Sequence, residues 1–256
     1  MKKFSSILFV LLLMLASFTA GMEYPRGDVD QNGQVDIADV TCLIDYLLTG
    51  TWEDAPVTPP DNHEWVDLGL DSGTLWATCN VGAETPEEYG DYFAWGETTP
   101  QQSYDWNTYK WCEGSEFTMT KYCTRSNYGT IDNKTELDPE DDVAYVNWSP
   151  LWRTPTEEQL QELIDSCTWS WTSRNSVKGF SVVGPNGNSI FLPAAGSVYD
   201  TTMHNVKIWG YYWSRTLCPD YDNNAIIFAC RSGYEICSNG YRYLGCCIRP
   251  VRVSTR

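Results

Sequence analysis

Histidine, basic charge and long apolar runs are all scarce in this chain, and each scarcity excludes something. Only His63 and His204 occur among 256 residues. Neither belongs to a His-Glu-x-x-His helix motif, and no Gly-x-Ser-x-Gly or Cys-x-x-Cys is present. Zinc-protease, serine-hydrolase and dithiol redox constellations are therefore not expected. Lys and Arg total 17 against 34 Asp and Glu, a formal net charge of −17. A field of that sign repels nucleic acid and anionic membrane, so neither is an expected partner. The one strongly apolar run, Ile7–Leu15, is too short to span a bilayer. With Lys2 and Lys3 before it and small residues up to Ala20, it reads as a secretory signal over residues 1–20. The expectation is a secreted or cell-surface protein with no membrane insertion once that signal is removed.

A narrower absence marks the C-terminal end. Residues 215–247 contain no Lys, Gln, Met or Trp and a single Glu, Glu235. Ordinary usage would place roughly six or seven of those five types there. The residues that remain are the alphabet left by randomising the adenines of Asn codons. A regular frame brackets the segment: Gly210-Tyr211-Tyr212-Trp213-Ser214 before it and Gly245-Cys246-Cys247-Ile248-Arg249-Pro250-Val251-Arg252 at its close. Phe228, Arg242 and Gly245 within it, and Arg249 just after it, read as fixed positions. Ile226, Ile227, Ala229, Arg231, Tyr234, Ile236, Cys237, Tyr241, Tyr243, Leu244 and Cys246 read as a diversified ligand-binding set; the alternative is a poorly patterned β-rich end whose apolar residues are core. Tyr and Arg among small residues suit a recognition surface.

Near the other end, Asp28, Asp30, Asn32, Gln34 (through its carbonyl), Asp36 and Asp39 occupy positions 1, 3, 5, 7, 9 and 12 of a calcium loop, with Gly33 at the tight turn. Ca²⁺ is the expected cofactor. Val40, Leu43, Ile44, Leu47 and Leu48 then follow helical spacing up to Gly50. Residues 51–63 form a Pro- and acid-rich connector. From residue 64 onward, Trp65–Leu68 and Thr74–Ala77 read as strands around an Asp71-Ser72-Gly73 turn. Thr154-Pro155-Thr156-Glu157 reads as a helix start with Thr154 as N-cap, and the helix is expected to run to about Ser166. Phe180–Val183 and Ser189–Leu192 flank a Pro185–Asn188 hairpin turn. Residues 98–150 show little periodicity and read as long loops ordered by aromatics.

Other chemistry weighs little. The ten cysteines have no framework spacing and read mainly as buried thiols. Glu157/Glu158 and Glu140/Asp141/Asp142 could be pictured as glycosidase acids. A capping role for Glu157, and a solvated loop or weak cation site at 140–142, fit better. Most of the twelve tryptophans read as core, while Trp106, Trp111, Trp209 and Trp213 flank loops where a ring could meet a sugar.

Two resemblances carry these readings further. Residues 27–49 resemble one repeat of a dockerin module, which implies a cohesin-like receptor; dockerins usually carry two repeats. The blocks WVDLGLDSGTLWATCNVGAETPEEYGDYFAWGET (65–98), LDPEDDVAYVNWSPLWRTPTEEQLQELIDSCTWSW (137–171), VVGPNGNSIFLPAAG (182–196), GYYWS (210–214) and GCCIRPVR (245–252) resemble the Fibrobacter major paralogous domain family. That resemblance implies an α+β, C-type lectin-like fold for 64–256, in the variant shared with formylglycine-generating enzymes. It would be preceded by the short calcium-loop-helix module at 21–50. It also implies first and last strands side by side, with Trp65–Leu68 next to Ile248–Val251. Some proteins of this fold are variable proteins of diversity-generating retroelements. The functional expectation is a non-catalytic, adhesin-like protein that binds a protein or glycan on a cell or host surface. The alternative is an accessory part of a polysaccharide-degrading assembly.

Overall fold

The computed structural model describes residues 63–253, which belong to one compact unit, Asp61–Arg256. The signal segment, the calcium loop with its ligands Asp28 to Asp39, the following helix and nearly all of the connector lie outside the described residues. Strand far exceeds helix in the described unit.

The chain opens with β1 (Trp65–Asp67) and β2 (Thr74–Ala77), joined where Gly73 donates to the Leu70 carbonyl at 3.0 Å. The closing strand β11 (Val251–Val253) pairs antiparallel with β2, Val251 opposite Trp76. The sheet order is therefore β1-β2-β11. The expected direct pairing of Trp65–Leu68 with Ile248–Val251 is not what forms; β2 stands between. The reason is burial. All four β2 residues are interior, whereas Trp65 is half exposed, so β2 takes the centre and β1 the edge.

The helix cap is also displaced. The sequence Thr-Pro-Thr-Glu-Glu-Gln offers two overlapping capping boxes, and the structure uses the second. Thr156 accepts from the Gln159 amide at 3.2 Å while the Gln159 side chain accepts from the Thr156 amide at 2.9 Å, opening α2 at Glu157–Ser166. Thr154 is unavailable because its amide and hydroxyl both donate to the buried Asp142 carboxylate. That carboxylate also caps the short helix α1 (Val143–Asn147). Leu160 and Leu163 turn the apolar side of α2 inward.

Next comes a meander: β3 (Thr168–Arg174), β4 (Val177–Val183) and β5 (Ser189–Pro193). The 185–188 hairpin forms between β4 and β5, with Phe180 opposite Leu192. β3 had no clear sequence signal: it is mostly exposed, and its turn uses Asn175 and Ser176 at positive φ. Just past β4, a Cβ on Gly184 would stand 2.1 Å from the Leu68 carbonyl oxygen, so only glycine allows the meander to meet the opening strands.

The small hairpin β6 (Ser197–Tyr199) and β7 (Thr202–His204) leads into a second antiparallel sheet. This comprises β8 (Gly210–Leu217), β9 (Asn224–Arg231) and β10 (Tyr234–Tyr241), with β9 central. The frame segment after it runs through the interior. Cys246 exchanges both backbone bonds with Phe93, Cys247 bridges in parallel to Tyr212, and Ile248 accepts from the Val81 amide. One short stretch thus joins the loops, the β8–β10 sheet and the opening hairpin. Between residues 98 and 150, the buried rings of Tyr104, Tyr109 and Tyr122 do the ordering. Tyr109, for example, donates its hydroxyl to the Trp95 carbonyl at 2.8 Å.

Candidate functional site

Register decides which residues of 215–247 can meet a ligand. Directly paired residues of an antiparallel sheet point to the same side, and neighbours along a strand point to opposite sides. Tyr212, Phe228 and Cys237 are aligned across β8, β9 and β10, and all three pack into the cluster containing Leu160 and Leu163 of α2. That is the inner face. Tyr211, Ala229 and Ile236 are likewise aligned, one residue out of phase, and form the outer face.

This phase sorts the expected ligand set. Arg231, Tyr234, Ile236 and Tyr241 are exposed. Leu244 is half-buried between two core clusters. Ala229 has outer-face phase but is covered, and Ile227, of the same phase, is drawn under the sheet's end against Trp213. Cys237, Ile226 and Tyr241 have the inner phase, Tyr241 remaining exposed at the end of β10. Cys237 packs against the α2 cluster, and its thiol is pushed up to about 12 by burial first and by Glu157 and Asp165 next. Cys246 is 0 % exposed, held between Phe93 and the core. Tyr243 is 9 % exposed and forms the floor of an aromatic corner. Ile226, Ile227, Ala229, Cys237 and Cys246 are thus corrected from surface to interior or inner-face positions. Their apolar character reflects packing, which composition alone could not separate from recognition.

The sheet carries two aromatic corners, one on the outer face and one at the end of β10, where Tyr241 pairs with Asn224. In the first, Trp209 stacks on Tyr211 with centroids 5.5 Å apart, and the Arg231 guanidinium lies 4.8 Å from the Trp209 centroid. Tyr234 closes it edge-on at 5.8 Å. The Trp209 ring is therefore engaged by its own neighbours and is not an open platform for a sugar. In the second, Trp106 stands edge-on to Tyr243 at 4.7 Å and to Tyr241 at 5.8 Å, while Tyr241 and Tyr243 stack at 5.6 Å. Tyr199 joins Tyr243 at 5.9 Å. The Tyr243 hydroxyl is pushed up to about 12, by burial first and then by Tyr199, Tyr241, Glu116 and Asp105. Sequence reasoning singled out Trp106 and Trp209 but missed Tyr199 and Tyr211. No local pattern marks those two; pairing between distant strands brings them in.

The other sequence candidates prove structural. Trp213 is wholly buried and donates to the Phe93 carbonyl at 2.9 Å; Trp111 donates to Gly96 at 2.8 Å. The 140–142 run is not a solvated loop. Asp141 and Asp142 are buried: Asp141 accepts from the Tyr122 hydroxyl and the Lys121 ammonium, both at 2.6 Å, and Asp142 from Thr154 and Arg153. Asp138, Glu140 and Asp141 are close enough to hold a cation, but the Lys121 ammonium already lies 2.6, 3.7 and 2.6 Å from them. Glu157 opens α2, where burial first and Glu158 second raise its carboxyl. All nine described cysteines are free thiols.

A groove of about 660 Å³ lies away from this face, lined by residues such as Glu64, Cys79, Glu84, Trp148 and Phe191. Its Cys79 sulfur contacts the Thr78 hydroxyl at 3.5 Å and the Glu84 carbonyl at 3.6 Å. Neither partner is a general base for a thiol. No protein-family model matches the chain, and neither a curated protein nor a solved structure matches it.

Proposed function

We propose that the protein is an exported recognition protein that binds a protein or glycan through the exposed aromatic surface of the β8–β10 sheet and turns nothing over. The observation that carries this reading is the separation of faces within one strand pair. Phe228 and Cys237 pack inward, while Arg231, Tyr234 and Ile236 stay in solvent on the outer face, and Tyr241, in the Cys237 phase, is exposed at the end of β10. Rigid aromatics and Arg are the side chains that concentrate binding energy. A C-type lectin-like architecture, and kinship with the variable proteins of diversity-generating retroelements, belong to the same reading. They are supported by the closing strand docked on the opening hairpin, the long aromatic loops, and the restricted alphabet of 215–247. Attachment through the 28–39 calcium loop to a cohesin-like receptor is proposed on sequence alone.

The test is capture from bacterial and host surfaces by the full chain, with and without a calcium chelator. The Arg231→Ser/Tyr234→Ser/Tyr241→Ser variant should lose the ligand while keeping its circular dichroism spectrum. Chelation should release a cohesin-like receptor but not the ligand. Equal capture by variant and wild type would place the site elsewhere, and hydrolysis of captured glycan would overturn the non-catalytic reading.

A further inference from the structure

The two aromatic corners differ in charge. The first contains its own cation, Arg231. Among the described residues no Lys or Arg lies over a ring of the second, where His204 packs on Tyr199 at 6.2 Å, and carboxylates flank it. Asp105 precedes Trp106 and Asp200 follows Tyr199 in the chain. Both acids accept from the same Ser103 hydroxyl, at 3.1 and 3.0 Å. One hydroxyl proton serves one acceptor at a time, so two like charges are held close together with a single shared donor. Asp105 is fixed further by the Asn107 amide at 2.6 Å. Among the described residues, neither carboxylate is in an ion pair. Beside them Tyr199 is 50 % exposed and Tyr241 is 44 % exposed, so solvent reaches both rings.

We infer that the Trp106–Tyr199–Tyr241–Tyr243 corner receives an arginine side chain of a protein partner, a specificity that rests on the exposed aromatic surface of the β8–β10 sheet being the ligand surface. A guanidinium is planar and weakly hydrated. It stacks on an aromatic ring and bonds a carboxylate in the same pose. A hydrated divalent ion would use the carboxylates but gain little from exposed tyrosine rings. The acidic chain as a whole steers a basic segment towards this face.

The experiment uses the full chain and a fluorescein-labelled Gly-Arg-Gly-Arg-Gly peptide, with its citrulline counterpart as the neutral isostere, followed by anisotropy. The arginine peptide should bind about tenfold or more tighter than the citrulline peptide. Asp105→Asn/Asp200→Asn and, separately, Tyr241→Ser should each remove most of that preference. Tyr241 is exposed, so its variant guards against loss of fold in the Asp pair. Asp71→Asn/Glu158→Gln makes the same charge change at exposed positions on and near α2, at the inner side of the sheet, and should leave the preference intact. Equal binding of the two peptides would overturn the inference. So would equal weakening by the control pair, which would make the effect general electrostatics, or competition by millimolar Ca²⁺ with no dependence on Tyr241. If arginine is not preferred while surface capture still needs Tyr234 and Tyr241, this inference falls alone. If capture ignores them too, the face reading falls with it.

Discussion

Arg242 and Arg249 are fully buried guanidinium groups without a carboxylate partner. Arg242 donates to the Tyr109 hydroxyl at 2.8 Å and to the carbonyls of Lys121, Tyr122 and Asp222, beneath the Trp95 ring. Arg249 spreads its fork over Asn80, Ala77 and Phe191, three points on separate strands and loops. A lysine could not reach three fixed acceptors at once. Both read in the sequence as fixed positions, but their use as interior cross-links was not legible there. Tyrosines show the opposite limit. Tyr234, Tyr241 and Tyr243 are indistinguishable in sequence, yet the first two are exposed and the third is the corner's floor. Tyr234→Ser and Tyr241→Ser should each cost under about 0.5 kcal/mol in denaturant unfolding. Tyr243→Ser should cost about 2 kcal/mol or more through the cavity it leaves, and Phe228→Ala about 3–5 kcal/mol. Equal losses at Tyr241 and Tyr243 would contradict the assigned faces.

At the scale of elements, legibility followed period. The hairpin at 185–188 and the α2 body carry clear alternation or helical spacing, and both form where expected. The phase of β9 could not be read, because residues 225–230 are buried on both faces and run Ala-Ile-Ile-Phe-Ala-Cys without a polar alternate. A strand covered on both sides gives no sign of which side is which, hence the misplaced Ile226, Ile227 and Ala229. The α2 cap failed differently. Two equally good threonines lie two residues apart, and the choice rests on Asp142, which is distant in the pattern but bonded to Thr154 at 2.7 Å. Thr156→Ala should therefore cost about 1 kcal/mol, the usual value of a cap. Thr154→Val should cost about 1–3 kcal/mol, because it strands part of a buried carboxylate. A larger loss at Thr156 than at Thr154 would argue for a cap-dominated local stability.

At the scale of the whole molecule, acidic charge sets the pH response, and the buried carboxylates divide into two kinds. Burial alone would raise the Asp222 carboxyl, but the Thr124 amide and hydroxyl, the Arg125 amide and the Cys123 thiol hold it below its ordinary 3.8. Burial is likewise outweighed at Asp138, by Lys121 and then Lys134. Groups with a depressed folded pKa stabilise the native state above their unfolded value and lose that contribution as pH falls through the folded one. Glu97 behaves in the other direction. Burial raises its carboxyl above 4.5 despite bonds from the Lys110 amide and the Gln101 side chain, and Glu235 is raised by burial too. Their protonation favours the folded state, so stability should rise as pH falls from neutrality towards the unfolded value of about 4.5. Relief of self-repulsion in a chain of net charge −17 acts in the same direction. The melting temperature should accordingly peak at mildly acidic pH, near about pH 5, and drop steeply below about pH 4. Asp222→Asn should lower it at neutral pH and flatten the acidic drop, whereas Glu97→Gln should flatten the rise between about pH 7 and pH 5. A melting temperature that falls monotonically from pH 7, unchanged in slope by Glu97→Gln, would show that the paired aspartates alone govern the molecule's response to acid.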